Sequence, residues 1–137
     1  MQRSAELGQS IVALTDRDGL YAAVRWVREC SRLGIRPVLG VDIAVEATQA
    51  ARVHPDVQAR TPARGGRWID ETRPRVLLLA TGSRGWASLC RLVSAAHIGD
   101  HTARGEPWVP WSALREHSEG VVVIPVSYTH LTLPTNR

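Results

Sequence analysis

Apolar residues run together in "SIVALT", residues 10–15, and again in "VLGVDIAV", residues 38–45. Short apolar runs holding β-branched residues predict buried strands. Between them Leu20, Ala23, Val24, Val27 and Cys30 recur at three- and four-residue steps, while Arg25, Arg28 and Arg32 fall on the other side. That spacing predicts an amphipathic helix from about Leu20 to Leu33, ended by Gly34. Strand, helix and strand with short connections predict a parallel pair joined by a helical crossover. Upstream, residues 2–9 read as the end of a helix closed by Gly8.

The pattern resumes with "RVLLLA", residues 75–80, as a third strand. Gly82 to Gly85 then read as a turn. "WASLCRLVSAAH", residues 86–97, predicts a helix with Trp86, Leu89, Cys90 and Val93 on one face. "WSALREHS" predicts a short helix and "GVVVI" a final strand. The stretch from Glu46 to Pro74 holds Pro55, Pro62, Gly65 and Gly66 and little apolar periodicity. A connection of that length is expected to be either functional or mobile. The order predicts an α/β fold with mainly parallel strands, as an open sheet or a barrel.

Composition narrows the class. With 137 residues the chain is long enough for one domain, and 44% hydrophobic against 22% charged residues fits a soluble globular protein. No apolar run nears the ~20 residues of a membrane span and no signal peptide opens the chain, so a cytoplasmic protein with no membrane partner is expected. Cys30 and Cys90 read as buried thiols in a reducing compartment. Net charge is +4, and all 17 basic residues are arginine. They are scattered, so no nucleic-acid footprint can be drawn from charge alone. The final "VSYTHLTLPTNR", residues 126–137, changes composition abruptly. One back-translation of it resembles the adapter of transposase-based sequencing libraries. Residues 126–137 are therefore expected to be adapter read-through, and residues 1–125 a partial domain.

Candidate chemistry is sparse. No P-loop, GxGxxG or CxxC motif is present. In parallel α/β folds function gathers at the C-terminal ends of strands, where Asp16 and Arg17 stand. Asp18 is placed to cap the following helix, and Asp16 to serve either as a turn or cap residue or in a site. Asp42 lies inside an apolar strand, where a lone carboxylate is costly. It should bind a metal, pair with an arginine, or mark a spot open to water. His54, His97, His101 and His117 have no metal-ligand spacing and are expected to be exposed or hydrogen-bonded.

Three blocks carry a resemblance. "ALTDRDGLYAAVRWVRECSRLGIRPVLGVDIAV", "PRVLLLATGSRGWASLCRLVSAAHIG" and "WSALREHSEGVVVI" match, in order and spacing, the PHP (polymerase and histidinol phosphatase) domain at the N-terminus of bacterial C-family DNA polymerases. Those are the DNA polymerase III alpha subunits and their error-prone relatives. The likeness covers nearly all of residues 5–124, and the Leu-Tyr and Gly-Trp forms of the first two blocks look most like the error-prone branch. It implies a distorted (βα) barrel, here a partial one of the PHP type lacking its first strand, with metals at the C-terminal strand ends in active members. Asp16 and Asp42 match ligand positions of that centre as vestigial ligands. Arg17 and Arg75 stand where histidine ligands are usual. Two positions aimed at one ion should stay neighbours, so the resemblance implies an Arg17–Asp42 pair, with Asp16 free to accept a second arginine such as Arg75.

The same resemblance implies a parent that is a DNA-directed DNA polymerase of the error-prone, translesion kind, acting in replication or repair. Its partners would be DNA and deoxynucleotides, and its Mg²⁺-dependent active site would lie in a palm domain outside this chain. The chain alone is then expected to be inactive and to pack on its own polymerase core. The alternatives are a metal-dependent phosphoesterase of the PHP family and a binding module without catalysis.

Overall fold

The computed structural model describes residues 1–47, 60–62, 68–70, 73–102 and 105–126. In chain order they form α1 (Gln2–Glu6), β1 (Ile11–Arg17), α2 (Ala23–Arg32), β2 (Arg36–Ala44), β3 (Arg60–Pro62), β4 (Trp68–Asp70), β5 (Arg75–Ala80), α3 (Gly82–Ile98), α4 (Trp111–Glu116) and β6 (Val121–Val126). Four strands make one sheet in the order β1-β2-β5-β6, and β3 and β4 pair separately as an antiparallel ribbon. Among the described residues the main sheet is open, with β1 and β6 at its edges.

The first predicted unit is present. β1 and β2 are parallel, with Ile11 opposite Arg36 and Arg17 opposite Asp42, and α2 makes the crossover. Gly34 at φ +68 ends it, a left-handed turn that a glycine adopts without a Cβ clash. The helix starts at Ala23, three residues later than its apolar spacing predicts.

The expectation of mainly parallel strands is corrected. β5 runs antiparallel to β2, and β6 antiparallel to β5. The reason lies in the connections. A parallel neighbour needs one crossover to carry the chain back to the starting end. The stretch leaving Ala44 returns at Arg75, directly opposite, and the Val45 N–H to Pro74 C=O bond (2.9 Å) closes its base. Between β5 and β6, α3 carries the chain down the sheet and α4 brings it back. Val121 therefore starts opposite Ala80, the end of β5.

The core lies on one face of this sheet. Val41 and Ile43 of β2, Val76 and Leu78 of β5, and Val45 just beyond β2 are buried against Leu89, Leu92 and Ala96 of α3 and Leu114 of α4. α3 begins at Gly82, so the residues read as a turn form its first turn. Its N-terminus is tied to the α4–β6 turn. A Cβ on Gly85 would stand 2.0 Å from the Gly120 carbonyl oxygen, and that carbonyl accepts both the N–H and the hydroxyl of Thr81 at 2.8 Å.

Val126, assigned above to the foreign tail, is the last residue of β6 and faces Arg75. Residues 127–137 of that tail lie outside the described residues, as do His54 and most of the stretch from 46 to 74. No helix among the described residues is long and apolar enough to cross a membrane.

Candidate functional site

Successive strand residues point to opposite faces, so Arg75 and Asp42 share the face away from Val76, Leu78 and α3. Arg75 pairs with Ala44, which puts Asp42 on the diagonal, within reach of a long side chain. Its Nε donates to Asp42 Oδ1 at 2.7 Å, and its Nη2 donates to the Asp42 carbonyl oxygen at 2.8 Å. The same Nη2 donates to Asp18 Oδ1 at 2.7 Å. The Arg75 side chain is only 4% exposed, while those of Asp18 and Asp42 keep 21% and 18%. These are charge-assisted contacts in a largely desolvated pocket, the setting in which such bonds are strong.

Asp18 comes into place through a local distortion. It follows the end of β1 with φ +54, the left-handed conformation that asparagine and aspartate tolerate better than most residues. Its N–H donates to the Asp42 carbonyl at 2.8 Å, so that oxygen accepts from both Asp18 and Arg75. On the other side, His97 of α3 lies with Nε2 2.6 Å from the Asp18 carbonyl oxygen. A carbonyl only accepts, so His97 carries its proton on Nε2 in this contact. One arginine and one histidine thereby join β1, β2, β5 and α3 around Asp18.

The cap expected of Asp18 is not made: α2 starts from Ala22 with no side-chain cap hydrogen bond, and Asp16 serves the turn before it. Its Oδ2 accepts the N–H of Ala22, just before α2, at 2.8 Å. A carboxylate there satisfies a free donor and faces the positive end of the helix dipole. Asp18 is the ion-paired carboxylate instead.

The expected Arg17–Asp42 pair is also corrected. Arg17 lies opposite Asp42 in the strand register, yet the ion pair it makes is with Asp18, Nε 3.6 Å from Oδ2. Arg75 takes the Asp42 carboxylate. Arg17 Nε and Nη2 are buried without a hydrogen-bond partner among the described residues, so this second guanidinium adds charge to the pocket more than bonding there. The Arg75–Asp18 contact was missed because Asp18 sits before a helix and reads as a cap. A left-handed aspartate at a strand end has no apolar-pattern signature.

The donor set does not fit a divalent ion. Asp18 and Asp42 are bonded to Arg75, Asp16 to the chain before α2, and the His97 Nε2 lone pair is protonated. Among the described residues no group of three or more His, Cys, Asp or Glu side chains is disposed to hold a metal.

Val109 and Trp111 dock on the end of β2. Val109 bridges to Val45, and Trp111 Nε1 donates to the Glu46 carbonyl at 3.0 Å. Trp108 lies under the Arg73 guanidinium at 4.5 Å, with the His101 ring edge-on at the same centroid distance. His101 Nε2 is 3.1 Å from the Trp108 carbonyl, the hydrogen-bonded state expected of it.

Comparison with known proteins places this architecture. The PHP domain family model matches residues 1–134. An error-prone DNA polymerase of Mycobacterium tuberculosis is 34% identical over 120 residues, 88% of this chain and 10% of that protein. One from Anaeromyxobacter is 37% identical over 98 residues, 72% of this chain and 7% of that protein. A DNA polymerase III subunit alpha of Caulobacter vibrioides is 29% identical over 121 residues, 88% of this chain and 9% of that protein. The chain spans about a tenth of the length of the curated relatives it matches.

Proposed function

The chain belongs to the PHP domain family, and from that premise we propose that it is the PHP region of a C-family DNA polymerase, of the error-prone branch, serving as a non-catalytic platform for the polymerase core. The observation that carries the reading is the 34% identity over 88% of the chain to a protein named error-prone DNA polymerase. In this reading the parent extends a primer with deoxynucleotides at a site elsewhere in its length. The PHP region contributes a packing surface.

Two structural features support the platform role. The pocket at the C-terminal ends of β1 and β2 is closed by internal ion pairs, which leaves no free general base or nucleophile among Asp16, Asp18 and Asp42. On the edge strand β6, Val122, Val123 and Ile124 are 46%, 40% and 41% exposed. Consecutive exposed aliphatics on an open edge suit burial against further protein.

The test is primer extension by the full-length parent together with phosphate release by this chain. The reading expects the parent to extend a primed template, and the 137-residue chain to release no phosphate from a monoester with Mn²⁺ or Zn²⁺ present. A parent that does not polymerise overturns it. So does metal-dependent hydrolysis by the chain that is lost in Asp42→Asn.

A further inference from the structure

We infer that Arg75 is the resident cation of the pocket at the C-terminal ends of β1 and β2, and that it keeps a divalent ion out of it. The inference rests on membership of the PHP family and on this chain's own geometry. It goes beyond the polymerase reading and does not depend on it.

Position comes first. Arg75 Nε and Nη2 stand 2.7 Å from one carboxylate oxygen each of Asp42 and Asp18, on separate segments of the chain. An ion shared by those oxygens would lie about 2.0–2.2 Å from both. The guanidinium fills the space such an ion would need. It also spends the same lone pairs, since each oxygen already accepts a short charged hydrogen bond.

Charge points the same way. Arg75 and Arg17 bring two positive charges to the two carboxylates Asp18 and Asp42. That is the charge a single divalent ion would bring. Adding an ion to the filled pocket would leave two uncompensated charges beside a side chain only 4% exposed, an arrangement low-dielectric surroundings penalise heavily.

The choice of arginine makes the exclusion permanent. A histidine at this place can lose its proton and become a ligand, and a buried lysine can be neutralised. Arginine stays charged throughout the range in which proteins fold.

The experiment titrates the 137-residue chain with Mn²⁺, followed by electron paramagnetic resonance, and with Zn²⁺, followed by equilibrium dialysis. The wild-type chain should bind either ion substoichiometrically, with no change in Asp42→Asn. Arg75→His should gain one equivalent of ion, lose it again when Asp42→Asn is added, and melt higher with metal than with EDTA. One equivalent bound by the wild-type chain and lost in Asp42→Asn would overturn the inference. A folded Arg75→His that binds no more than wild type would do the same. If Arg75→His does not fold, the wild-type titration still decides. Metal stoichiometry is read independently of primer extension, so this inference and the polymerase reading can fail separately.

Discussion

The guanidinium of Arg75 grips Asp42 at two points, Nε on the carboxylate at 2.7 Å and Nη2 on the backbone carbonyl at 2.8 Å. The contact ties the start of β5 to the C-terminal end of β2, two strands separated in sequence by the 30 residues 45–74. Arg75→Met should therefore leave Asp42 uncompensated and Asp18 with only the longer Arg17 contact at 3.6 Å. Breaking a buried pair on one side costs about 3–5 kcal/mol. Both carboxylates keep about a fifth of their surface in water, so a loss near 3 kcal/mol is expected from urea denaturation. A loss under about 1 kcal/mol would place the pair among exposed ones.

Asp16 and Asp18 should respond differently to the same change. Asp16→Ala removes the acceptor for the Ala22 N–H and should cost about 1 kcal/mol, the scale of a helix-start acceptor. Asp16→Asn should recover most of it, because an amide oxygen still accepts. At Asp18 the asparagine variant should not recover the loss, because the partner there is a charged guanidinium. Asp18→Val should cost a further 1–2 kcal/mol or so over Asp18→Asn, since φ +54 is poorly tolerated by a β-branched residue. Thermal melts of the four variants check the order.

Gly85→Ala should destabilise by about 2 kcal/mol or more. The added Cβ meets a backbone carbonyl, that of Gly120, which cannot rotate away as a side chain would. The Thr81 bonds to the same carbonyl should loosen with it, visible as faster amide hydrogen exchange at Thr81.

The two cysteines should differ in reactivity. Cys30 is fully buried as expected, and burial raises its thiol pKa above the ordinary value, while Cys90, expected to be buried too, is only half-buried. At pH 8 iodoacetamide should label Cys90 well before Cys30. The raised pKa also has a stability consequence. The neutral thiol's contribution is fully present below the unfolded thiol pKa, about 8.5, and is lost as pH rises through the folded value. Stability should therefore fall on the alkaline side, and less steeply in Cys30→Ala.

The exposed row on β6 should govern self-association of the isolated chain. Val123→Lys places a charge on the edge strand and should reduce concentration-dependent light scattering, with a change in stability of about 0.5 kcal/mol or less. Unchanged scattering would show that β6 is not the adhesive edge.

Much of the fold was readable along the chain because it depends on local period. "RVLLLA" predicts a strand whose bounds are those of β5, Arg75–Ala80. The strand–helix–strand unit from Ile11 to Ala44 follows from two apolar runs, one helical stripe and a glycine stop. The ends were less legible. α3 starts at Gly82 because docking on the Gly120 turn favours helix where Gly82 and Gly85 suggest a bend. Strand direction was not legible beyond the first pair, since it depends on where each connection returns.

At the pocket the sequence by itself determined the residue types and their neighbourhood: carboxylates at the end of β1, one inside β2, and arginines at the end of β1 and the start of β5. Only the tertiary structure decided who pairs with whom. Asp16 and Asp18 both stand within a few residues of α2, and the backbone path through φ +54 is what turns one into the pocket and leaves the other at the helix. Arg17 and Arg75 compete for one carboxylate, and the register that sets Arg75 opposite Ala44 gives the diagonal to Asp42 to the more distant arginine. Apolar period encodes which face of an element is buried. The pairing of long polar side chains depends on distances between elements, which exist only once the sheet order is set.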